Sequence, residues 1–214
     1  MEADRYEHPK QARVLVITLA WGLLAVTVAG AAEEGRMKEV SAMLPTKPVG
    51  IGRPLSDRAA WETLAELESF EKIAADAERL TKEPIPDQSD DMYLDFSRTG
   101  NRTRWEKVAW KRRSRLRMFA LAECLENKGR FIKPLEEIIE ALCNERTWVM
   151  PAHDGRLANF QGKTIDIDLA SSSLAWELAT IDRLFGNKLC AKTRELLREN
   201  VRKRVLSVHG NGRG

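Results

Sequence analysis

The stretch IDIDLASSSLAWELATIDRLFGNKL, Ile165 to Leu189, decides whether this chain contains a sheet or is helical throughout. With Thr164, its first residues alternate as TIDIDL, the pattern of a half-buried strand, but no second alternating run supplies a hairpin partner. Asp168 stands where a helix N-cap belongs, because a short carboxylate accepts from the free first-turn N–H groups and suits the helix dipole. From there Leu169, Trp176, Ala179, Leu184 and Phe185 are spaced as a helical stripe, and Gly186 supplies the stop. The alternating run is therefore read as the approach to a helix.

The same reading extends outward. Ser56 offers an N-cap to a first helix whose stripe is Trp61, Leu64, Leu67, Phe70, Ile73, Ala77 and Leu80, ended by Pro84 and Pro86. A polar connection is expected from Asp87 to Arg102. Thr103 and Glu106 have capping-box spacing ahead of Trp105, Val108, Ala109, Leu116, Phe119 and Ala120, with Gly129 as the stop. Pro134 suits the first position of a third helix carrying Leu135, Ile138, Ile139 and Leu142. After the stretch that opened the reading, a last helix spans about Asn187 to Val208 on Leu189, Leu196, Leu197, Val201 and Val205. The expected fold class is all-α, five helices pairing as antiparallel hairpins.

At the N-terminus, Lys10 and Arg13 precede an apolar run from Val14 to Ala32, and Ala29-Gly30-Ala31 has the form of a cleavage signal. Residues 1–32 are read as a signal peptide, or as an anchor if uncleaved, since 19 apolar residues suffice to span a bilayer. Either places the rest of the chain outside the cytoplasm, periplasmic or secreted, and gives membrane contact only through residues 14–32. Residues 33–55, rich in Pro and Gly, are read as a linker, residues 56–208 as the helical domain, and residues 209–214 as a disordered tail. The 214 residues hold three cysteines with no CxxC pair, so neither a disulfide framework nor a zinc site is expected, and no cofactor is implied.

Net charge is only +3, but between Arg98 and Arg117 nine Lys or Arg face a single acid, Glu106, a local charge of about +8. Arg104, Lys107, Lys111 and Arg115 share a helical face, a stripe suited to a polyanion or simply to solvent. Arg102, in the loop TGNR, is a candidate fork for a sulfate or carboxylate. The loop TWVMPAHDG, Thr147 to Gly155, admits two readings. In one, Trp148 and Met150 plug the core and His153-Asp154 satisfies loop backbone. In the other, Trp148 stacks on a sugar ring while His153 bonds its hydroxyl or carboxylate, and His153 is then the candidate for proton transfer. Asp166 and Asp168 read first as capping groups.

Three blocks, YLDFSRTGNRTRWE (Tyr93–Glu106), LEEIIEALCNERTWVMPAHD (Leu135–Asp154) and the stretch from Ile165 to Leu189, resemble in order and spacing the N-terminal part of heparinase II/III-like polysaccharide lyases. The resemblance spans roughly Arg53 to Val205. It implies an incomplete α/α toroid of helical hairpins, with Asp168 on a helix lining the groove, and β-elimination on uronic-acid polysaccharides. In that family a carboxylate-neutralising Asn or His, a Tyr and a β region follow a segment like this one. The expectation is thus a toroid fragment of a lyase, inactive alone, with an acidic polysaccharide as partner. The alternative is a non-catalytic acidic-glycan-binding module. An open toroid leaves an apolar seam, so a C-terminal part or a second copy is an expected further partner. The leader and the lack of a nucleic-acid-binding motif argue against nucleic acid.

Overall fold

The computed structural model describes residues 35–44, 52–67, 70 and 72–207, and all regular structure in them is helical, with no strand. The chain divides into two units, Met1–Val49 and Gly50–Gly214. In the first, residues 35–43 form a short helix (α1) with every residue exposed, inside the stretch expected to be an irregular linker. The leader and the tail from Val208 onward lie outside the described residues. Among those described, no helix is long and apolar enough to cross a membrane.

The second unit holds α2 (Arg58–Ala65), α3 (Ile73–Thr81), α4 (Asp90–Thr99), α5 (Thr103–Glu126), α6 (Ile132–Cys143), α7 (Leu169–Phe185) and α8 (Ala191–Val201). At 24 residues α5 is the axis of the fold, touching α2, α3, α4, α6 and α7, while α8 packs on α6 and α7. The core is built from Leu116, Phe119, Leu135, Ile138, Leu142, Leu174, Leu178 and Leu197, each no more than 2% exposed. Short turns join α5 to α6 and α7 to α8, which makes hairpins of them. The first turn is organised by the buried carboxylate of Glu123, which accepts from the N–H of Gly129 (2.6 Å) and Phe131 (3.0 Å). The left-handed residue that ends α5 is Asn127, with Gly129 left-handed two residues on.

Several elements depart from the sequence reading. The stripe from Trp61 to Leu80 is two helices, α2 and α3. Leu64 and Leu67 are exposed, so a straight helix would not have buried the whole stripe. Arg58 on α2 donates to the carbonyls of Cys124 (2.8 Å) and Leu125 (2.9 Å), terminating α5 from outside. The polar connection from Asp87 to Arg102 contains α4, which lacks an apolar period because only Tyr93 on it is buried. The Thr103–Glu106 capping box does not form. Asn101 Oδ1 instead accepts from Thr103 N (3.0 Å) and Oγ1 (2.9 Å), and Glu106 pairs with Arg102 (2.6 Å). Pro134 is the third residue of α6 rather than the first. The last helix starts at Ala191 after a 3-10 turn, Gly186–Lys188, and continues past Val201 as a π-helical turn, Arg202–Leu206.

The stretch Ile165–Leu189 behaves as read at its ends and differs in its packing. Asp168 Oδ1 accepts from Ser171 N at 2.7 Å and Ser171 Oγ accepts from Asp168 N at 2.9 Å, a complete capping box, and Gly186 is the C-cap. The buried face, however, is Ala170, Leu174, Ala175, Leu178, Ile181 and Phe185. Leu169 and Trp176, read as part of the packed stripe, are 82% and 59% exposed.

Candidate functional site

The loop between α6 and α7 is held in place by three carboxylates, those of Asp154, Asp166 and Asp168. Asp154, 3% exposed, accepts from Phe160 N (2.8 Å), Asn159 N (3.1 Å) and the Tyr93 hydroxyl (3.1 Å). Burial, reinforced by the charge of Asp154, pushes the Tyr93 phenol well above its ordinary range, so it stays a neutral donor. Tyr93 also stacks on Phe160 and meets Trp105 edge-on, which anchors α4 over the loop. Asn159 exchanges two bonds with Asp166, each 2.7 Å, closing the loop on itself. Asp168 does the rest: besides capping α7, its Oδ2 accepts from Met150 N (2.8 Å) and lies 2.9 Å from His153 Nδ1.

This loop forms one wall of a cleft of about 340 Å³. Thr147, Trp148 and Val149 line it from the start of the loop, Asn159 and Asp166 from its middle, and Ser171 from α7. The opposite wall is the end of α8 and the π-helical turn, presenting Glu199, Asn200, Lys203 and Arg204. A π turn widens the helix by one residue and re-aims the side chains that follow, a device frequent at functional sites. Arg204 is fixed by its bonds to the Glu145 carbonyl (2.6 Å), the Cys143 carbonyl (3.2 Å) and Asn200 Oδ1 (2.9 Å), with its guanidinium 5.0 Å over the Trp148 ring. Lys203 is exposed. Arg146 completes the rim, paired with Asp90 at 2.7 Å. Three cations, two carboxylates and several amide and hydroxyl groups thus converge on one opening.

The residues singled out in the sequence fall in different places. Trp148 lines the cleft but is 1% exposed, with Arg204 over its ring and its indole N–H donated to the Leu142 carbonyl (2.9 Å), so it is a wall and not an open stacking surface. His153 and Asp168 are bonded to each other, and neither lines the cleft. Arg102 is exposed and paired with Glu106. Lys111 is exposed on α5, whereas Arg115 is 3% exposed and faces Glu83 at 3.7 Å.

The basic run is therefore not one solvated stripe, and this corrects the expectation. Arg112, Arg113 and Arg115 all turn inward. Arg112 bonds Glu145 (2.9 Å) and the carbonyls of Pro86 and Ala141 (2.8 Å each). Arg113 donates to the Ala170 carbonyl at 2.9 Å, and burial depresses its pKa against the pull of Glu145, Glu177 and Asp168. Its Nε and Nη2, with one oxygen each of Glu145 and Glu177, are buried without a hydrogen-bond partner among the described residues. Of the exposed members, Arg98, Arg102, Arg104 and Arg117 pair with Asp91, Glu106, Asp95 and Glu177. Much of the local charge is thereby neutralised.

The lysine and asparagine of the far cleft wall went unmarked in the sequence. They belong to a helix read only for its core, and nothing local signals that the helix changes pitch at Arg202. Among the described residues no cluster of His, Cys, Asp and Glu could hold a metal ion. Compared with known proteins, the chain matches no family model and no curated sequence.

Proposed function

We propose that the chain is the helical-hairpin, partial-toroid portion of a heparinase II/III-like polysaccharide lyase, and that the cleft between the Thr147–Asp166 loop and the end of α8 takes a carboxylated sugar. The observation that carries this reading is the convergence of Arg146, Lys203 and Arg204 with Asn159, Asn200 and Ser171 on one cleft. Cations suit a uronate carboxylate, and amides and a hydroxyl suit ring hydroxyls. The three sequence blocks and the hairpin pairing of α5–α6 and α7–α8 support it as well.

One observation favours binding without turnover by this chain: among the described residues the cleft lining contains no His or Tyr, the residue types that serve elimination in the lyases it resembles. β-Elimination needs a base for the α-proton and an acid for the leaving oxygen. His153, oriented by Asp168, has the right chemistry but does not face the cleft. A non-catalytic acidic-glycan module is accordingly the second reading.

Titration calorimetry of the purified chain with short oligouronates tests both. The expected result is binding that weakens steeply with salt and falls about tenfold in Lys203→Ala, the worth of one charge-assisted contact, with no unsaturated uronate product. Absence of binding, or an unaffected Lys203→Ala, overturns the cleft reading. Appearance of unsaturated product overturns the second one.

A further inference from the structure

Outside the cleft, α5 and α7 lie side by side, pinned by Arg113 to the Ala170 carbonyl (2.9 Å) and by Arg117 to Glu177 (2.6 Å). Each helix carries an exposed stripe. On α5 it is Lys107, Trp110, Lys111 and Ser114, spaced i, i+3, i+4, i+7, and on α7 it is Leu169, Ser173 and Trp176. Trp110 is 42% and Trp176 59% exposed. Trp110 sits one turn before Arg113, and Trp176 adjoins Glu177, so the two contacts place the rings at different levels along the seam. Arg117 is two turns past Trp110, about 10 Å along the axis. The Arg113 guanidinium lies 5.1 Å from the centroid of the Trp110 ring, which holds the ring while leaving it partly open to solvent.

Exposed tryptophans cost solvation and mark contact surfaces when they recur on one face. The surroundings choose the occupant. Beside the rings and Leu169 the two stripes carry Ser114, Ser173, Lys107 and Lys111, and serine and lysine are depleted in protein interfaces. Among the described residues Lys107 and Lys111 make no ion pair, unlike Arg104 and Arg117 on the same helix. We propose that this α5–α7 face is a second glycan-contacting surface. Pyranose rings lay their C–H faces on Trp110 and Trp176, and uronate or sulfate groups meet Lys107 and Lys111. The ligand class rests on the reading of the cleft; the location does not.

The test compares the whole chain with Trp176→Ala, the double variant Lys107→Ala/Lys111→Ala, and Lys203→Ala. Affinity electrophoresis in long polygalacturonate and calorimetry with a short oligogalacturonate are the readouts, and circular dichroism confirms that each variant folds. The expected result is at least tenfold weaker binding of the long polymer in the first two variants, with the short oligomer unaffected, and the reverse preference in Lys203→Ala. Normal polymer binding by Trp176→Ala and the double lysine variant overturns the platform while leaving the cleft reading intact. Loss in those variants with Lys203→Ala unchanged supports the platform and removes the cleft. Equal dependence on Trp176 for polyglutamate, or loss of a dimer on sedimentation of Trp176→Ala, assigns the face to a protein partner and overturns the proposal.

Discussion

His153 Nδ1 lies 2.9 Å from Asp168 Oδ2, and the other oxygen of that carboxylate caps α7 through Ser171 N at 2.7 Å. With Asp168 ionised and the imidazole neutral, the proton belongs on Nδ1, leaving Nε2 as the outward acceptor. One side chain therefore sets the tautomer of the histidine, the start of a helix and the position of the Met150 backbone.

Replacing Asp168 with Ala is expected to lower stability by about 3 kcal/mol, because it removes an N-cap and strands the Met150 N–H. Burial raises the Asp168 carboxyl, but bonds from Met150 N, Ser171 N and His153 outweigh it and hold the pKa below the ordinary value. A depressed carboxyl contributes stability above its unfolded pKa, about 4, and loses it as pH falls through the lower folded value. Urea midpoints measured by circular dichroism should thus drop with acid below about pH 4. Asp168→Asn should flatten that drop, and an unchanged slope in the variant would show that other groups cause it.

The Arg112–Glu145 pair gives a second prediction. Both side chains are less than a tenth exposed, and burial pushes the Glu145 carboxyl upward against the pull of Arg112 and Arg113. Arg112→Ala leaves a buried acid and two carbonyls without their donor, with an expected loss of about 3–5 kcal/mol in urea unfolding. Arg112→Met combined with Glu145→Leu should recover most of it. If the double variant is as unstable as the single one, the arginine acts mainly through the Pro86 and Ala141 carbonyls.

Thiol reactivity supplies the third. Cys124 and Cys143 are buried, and burial raises each thiol to about 12, whereas Cys190 is exposed at the N-cap of α8. A disulfide reagent at neutral pH should label one of the three cysteines in the native chain and all three in guanidinium. Rapid native labelling of more than one would mean that α5 or α6 opens readily.

The sequence by itself determined the features that depend on neighbours along the chain. Helical periods, the Asp168 cap and the Gly186 stop are local, since each involves groups within one turn of each other. Tertiary structure decided what local pattern leaves degenerate. α7 is apolar on more than one face, and only its neighbours α5 and α8 select Leu174 and Leu178 over Leu169 and Trp176 for burial. The arginines of α5 look alike in sequence. Those whose long stems reach distant carbonyls and carboxylates, at Pro86, Ala141, Ala170 and Glu145, turn inward, and no spacing on α5 encodes those partners. The cleft has the same origin: Trp148 and Arg204 are far apart in the chain, and packing of α8 on α6 and α7 is what brings their walls together.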